Sequence, residues 1–149
     1  MSAQAVADYF ITKPDVEAGD NITHLKIQKL LYYSQGWHLA LFNEALFDER
    51  IEAWAHGPVV PVVYERLKEF GANPIPLDAV SEEESLTLEQ KDLLDEIWEV
   101  YGGYTAKALE ELTHAESPWL DKRKDLAPLQ RCTEEITQQA IKAYFDTLK

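Results

Sequence analysis

The sequence has 149 residues, with 14 lysines and arginines against 27 aspartates and glutamates, for a formal charge of −13. With 46% hydrophobic and 11% aromatic residues it is neither disordered nor low in complexity, and its acidity argues against a generic duplex-binding surface, which needs clustered cations to neutralise phosphates. The single cysteine, Cys132, excludes an internal disulfide and a thiolate-rich zinc framework, and no apolar run approaches the roughly 18 residues of a membrane span, so one soluble, cytoplasmic domain over residues 1–149 is expected.

Ala3, Val6, Tyr9 and Phe10 fall at helical spacing ahead of Pro14 and predict a short first helix over 2–12. Turn formers Gly19, Asp20 and Asn21 follow, and Thr23 is placed to cap a long helix from His24 to about Phe42. This helix is apolar on nearly every side, the mark of a central, buried element. At about 100° per residue, His24, Gln28, Gln35 and His38 form one narrow polar stripe along it. Three readings of the stripe are open: burial against backbone polar groups, exposure to water, or the border of a recognition groove.

Between 45 and 56, Ala45, Leu46 and Phe47 and then Ile51 to Trp54 flank Asp48, Glu49 and Arg50, which reads as two brief strands around a turn. Gly57-Pro58 breaks the pattern, and Pro61 opens a helix that Gly71 closes. Residues 81–84 and the pair Thr87 and Gln90 both have the form of a capping box, the second heading a stripe of Leu94, Ile97, Trp98 and Tyr101 that ends at Gly102-Gly103. Thr105 caps a short helix over 106–112, which Ser117-Pro118 must stop, and a loop over 121–131 carries Lys122, Arg123, Lys124 and Arg131. A last helix is expected from Thr133, with Glu134 and Glu135 in its first turn and Ile136, Ala140, Tyr144 and Leu148 on its inner face. The fold class expected is mainly α: a single compact bundle of about five to seven helices with a small β-hairpin or extended insert around 45–56.

Little in the chain carries chemistry by itself. His24 and His38 lie about 21 Å apart along one helix and cannot share a metal, and no Gly-x-Ser-x-Gly elbow or phosphate-cradling glycine loop occurs, so no metal and no cofactor are expected. His38 or His114 could serve a small hydrolase-like enzyme as general acid or base, and the four cations of 121–131 could serve nucleic-acid regulation; these are the alternatives from other functional classes. Leu30, Tyr33, Trp37, Trp54 and Trp98 are read as core.

Three motifs then stand together. The run 23–38 holds Thr23, His24, Lys26, Gln28, Lys29, Tyr32, Tyr33, Gln35, Trp37 and His38; Glu52, Trp54, His56, Gly57, Pro58 and Pro61 follow, with Tyr64; Thr113, His114, Glu116, Ser117, Pro118 and Trp119 come last. In this order they resemble the Panacea domain, the SocA-like, phage-associated antitoxin family. The resemblance implies a mostly helical, non-enzymatic protein that neutralises a toxin encoded beside it, usually by direct binding, with delivery of the toxin to a Clp-type protease as a variant. An acidic antitoxin fits a basic toxin. On this reading Lys26, Gln28, Lys29, Gln35 and His38 line the partner groove.

Overall fold

The computed structural model describes residues 2–80 and 85–149, and among these it is mainly α, with seven helices and a small antiparallel sheet. The first helix, α1 (Ala3–Ile11), starts at Ser2, whose hydroxyl accepts from the Ala5 amide. The long helix α2 (His24–Phe42) starts at Thr23, which caps the Lys26 amide, and ends at Asn43 in the left-handed conformation, φ 55°. Its apolar circumference is accounted for by its neighbours: α1, α3 (Pro61–Leu67), α4 (Leu88–Tyr101), α5 (Ala106–His114) and α7 (Gln138–Asp146) all pack on it. Ile27, Leu30, Leu31, Tyr32 and Tyr33 are wholly buried, and at Gly36 the Phe145 ring of α7 lies against the α2 backbone.

Of the two strands the sequence pattern suggests, the one at 51–54 forms and the one at 45–47 does not. Its strands are β1 (Ile51–Trp54), β2 (Gly57–Val59) and β3 (Glu135–Ile136), in the order β2-β1-β3. The hairpin turn is therefore Ala55-His56, not 48–50, and Gly57-Pro58 continues the hairpin instead of ending it. Residues 45–47 form no strand because a side chain satisfies their backbone: Gln35 Oε1 accepts from the Leu46 amide at 2.8 Å, and its Nε2 donates to Phe47 O at 2.8 Å. Pro58 is tolerated because β2 is an edge strand, and Gly57 is required twice over, by its φ of 108° and because a Cβ would meet Lys29 Cε at 2.6 Å.

Two further boundaries differ. Pro118 does not stop a helix but occupies the first turn of α6 (Ser117–Arg123), where its missing N–H costs nothing, and α5 runs on to His114. The last helix begins at Gln138 under a Thr137 cap, because Glu134–Ile136 is drawn into pairing with β1 and Ile136 into the core. The capping box at Thr87 and Gln90 forms in full; the candidate at 81–84 lies outside the described residues. Leu30 and Tyr33 are core as expected, whereas Trp37, Trp54 and Trp98 are half-buried at its margin.

Candidate functional site

The polar residues of α2 point inward. Gln28, Lys29, Gln35 and His38 are buried, and each meets backbone from the segment 44–60: Gln28 Oε1 accepts from the Val60 amide at 2.7 Å, Lys29 Nζ donates to Pro58 O at 3.1 Å, Gln35 bridges Leu46 and Phe47, and His38 Nδ1 lies 2.6 Å from Glu44 O. Lys26 turns to the other side, donating to Gly102 O with its ammonium 5.2 Å from the Trp98 ring. Of the five residues expected to line a partner groove, Gln28, Lys29, Gln35 and His38 are thus buried against backbone polar groups, and Lys26 lies half-buried against α4. The same hairpin is held from its other side, where Trp119 Nε1 donates to Trp54 O at 2.7 Å and Arg123 to Ala53 O at 3.1 Å. On the hairpin itself Lys29 of α2 and Trp119 and Arg123 of α6 converge, while Gln28, Gln35 and His38 hold the segments that flank it.

What the fixed hairpin walls is a cavity of about 470 Å³ between the start of α2, α3 and the segment 129–133. Trp54 and Tyr64 meet edge to face at 4.8 Å on one wall, and the His24 ring packs on Tyr64 at 5.5 Å. His24 Nδ1 has no hydrogen-bond partner, although the residue is 7% exposed, and burial holds its pKa below the usual imidazole value, helped by the nearby Lys29. Leu25 and the 78% exposed Leu129 stand at the rim. His56 lies at the mouth, its Nδ1 2.8 Å from Glu110 Oε1.

Beside the cavity the interior carries two titratable groups. Glu116 accepts from the phenols of Tyr32 and Tyr33 at 2.9 and 3.0 Å, and burial raises its pKa to about 7 against the pull of these hydrogen bonds and that of Tyr144. Lys29, wholly enclosed, is pushed down to about 7 by burial, with Glu110 opposing. Both lie in the motifs and both serve the fold: Glu116 ties α6 to α2, and Lys29 ties α2 to β2.

The comparisons with known proteins bear on the same segments. The profile described as "Antitoxin SocA-like, Panacea domain" matches residues 27–120. The chain belongs to this SocA-like Panacea family. A relative, Antitoxin SocA of Caulobacter vibrioides (strain NA1000 / CB15N), is 39% identical over 64 residues, which cover 43% of this chain and 34% of that protein. The match therefore spans about a third of the relative's length. No solved structure matches.

Within this Panacea chain the other sequence candidates fall as follows. His38 is spent on Glu44 O, and His114 stacks on Trp119 at 3.9 Å with its Nε2 enclosed and unpartnered, so among the described residues neither is hydrogen-bonded to a carboxylate. The histidine and carboxylate that do pair are His56 and Glu110, which the sequence reading did not connect; their separation of 54 residues left no local signal. Of the four cations over 121–131, Arg123 is buried and donates to the carbonyls of Ala53, Ala127, Pro128 and Gln130, so it is a structural clasp and not part of a surface patch. No described helix is long and apolar enough to cross a membrane, and among the described residues no three metal-ligating side chains cluster.

Proposed function

We propose that this chain is an antitoxin that neutralises a cognate toxin by direct binding, without making or breaking a bond, and that the contact surface centres on the hairpin cavity. Membership of the SocA-like family supports the antitoxin role. The observation that carries the contact surface is the convergence of motif side chains on the backbone of 53–60: buried amides and cations are expensive, and here they hold the wall that presents Trp54 beside Tyr64. A preorganised aromatic pocket with an apolar rim is the form that energetic centres of protein interfaces take. The toxin is basic on this reading, and its delivery to a Clp-type protease would follow binding.

Co-expression with the product of the adjacent gene tests the role. Growth arrest by that product alone, relieved by this chain, is the expected result. Leu129→Asp and Leu25→Asp, both at exposed rim positions, should abolish relief while leaving thermal unfolding unchanged; full relief by both variants would move the contact surface elsewhere. The toxin's half-life with and without the protease then separates occlusion from degradation.

A further inference from the structure

A second cavity, of about 650 Å³, adjoins the first, and the two share Arg131, Cys132 and Thr133 as a common wall. Its character is different. Lys122 and Arg131 both line it, and neither has an ion-pair or hydrogen-bond partner among the described residues. In this acidic chain most other cations are engaged: Lys13 with Asp95, Arg50 with Glu52, Lys68 with Glu65, Lys107 with Glu110 and Lys142 with Asp146. Two free cations facing one hollow beside an apolar pocket form a bipartite receptor, greasy on one side and anion-seeking on the other.

We infer that the paired cavities receive the C-terminal residue of the toxin, a large apolar side chain entering beside Trp54 and Tyr64 while the α-carboxylate meets Arg131 and Lys122. This rests on the antitoxin reading for the partner's identity and on the geometry for its chemistry. Capture of a terminal carboxylate is a recurring mode of peptide recognition, and arginine suits it because its planar fork can hold both oxygens. The lining of the two cavities favours a protein terminus. The His24 ring packs on Tyr64 in the wall of the apolar pocket, so the aromatic face that meets an incoming side chain is already formed. Glu134 and Glu135, both exposed, also line the cationic cavity. They would repel a multiply charged phosphate, yet they complement lysines or arginines just ahead of the terminus, as a basic partner would supply.

Fluorescence anisotropy with twenty labelled peptides, Lys-Arg-Ser-Gly followed by each of the residues in turn, tests this on the intact chain. Peptides ending in Phe, Trp, Leu, Ile or Met with a free carboxylate should bind at least tenfold tighter than those ending in Ser or Asp, and at least tenfold tighter than their own C-terminal amides. Arg131→Gln should erase the difference between acid and amide, and Leu129→Asp the preference for apolar ends. Equal binding of acid and amide, no dependence on the last residue, or no binding at all would each overturn the inference. Failure of growth rescue with intact peptide selectivity would instead remove the antitoxin reading and leave the terminus site standing.

Discussion

Glu116 and Lys29 make the protein's stability depend on pH in opposite senses. The folded pKa of Glu116 is raised to about 7 from an ordinary 4.5, so its contribution is complete below pH 4.5 and is lost as the pH climbs to about 7. A shift of that size corresponds to roughly 3 kcal/mol. The Lys29 pKa is lowered to about 7 from 10.5, so the cost of enclosing its charge is full below pH 7 and is relieved toward pH 10.5. The two together place a minimum of stability near neutrality. Urea unfolding across pH 5 to 10 should show it; Glu116→Gln should flatten the acid limb and Lys29→Met the alkaline limb. A wild-type profile that rises steadily from pH 5 to 7 would contradict the assignment of Glu116. Residues of this kind were visible in the sequence as types, but their enclosure was not. A glutamate in a run such as Ala115-Glu116-Ser117 reads as solvated until three tyrosines from two other helices are placed around it.

The middle scale is that of the hairpin and its supports. Gln35 substitutes for strand pairing at 46–47, so Gln35→Ala leaves a buried N–H and C=O unpaired and should cost about 2–4 kcal/mol in chemical denaturation. Loss of neutralisation in this variant would then track loss of fold, the reverse of what a contact residue does. Gly36→Ala should cost about 1–3 kcal/mol by driving a methyl group into the Phe145 ring; an unchanged midpoint would show that α7 can move away from α2 at no cost. Most of the helices were legible in the sequence, since Thr23, Thr87 and Thr105 each cap the helix their spacing announces, but α6 was not, because Ser117-Pro118 reads equally as a stop and as a first turn. The sheet was legible only in β1, the strand expected at 51–54, because its partners lie at 57–59 and at 135–136, and a two-residue strand has no periodicity to detect. The cavity inherits that gap, since its walls come from segments more than 100 residues apart, His24 on one side and Cys132 on the other.

At the scale of the whole molecule, if the chain binds a basic toxin as proposed, the charge of −13 governs approach and Lys122 and Arg131 act at contact. The Debye length is about 8 Å at physiological ionic strength, so the summed field of the free carboxylates steers a basic partner from a distance, whereas the two cations are felt only within the cavity they line. Association and dissociation should therefore answer to different residues. Raising salt from about 20 mM to about 500 mM is expected to slow association with the toxin at least tenfold and to change dissociation far less. Arg131→Gln, one charge among many, should leave the association rate within about twofold and accelerate dissociation severalfold. Stopped-flow and surface-plasmon traces with the purified toxin separate the two rates. An association rate indifferent to salt would remove steering from the account, and an Arg131→Gln variant altered only in association would place that side chain at the rim of the contact instead of inside it.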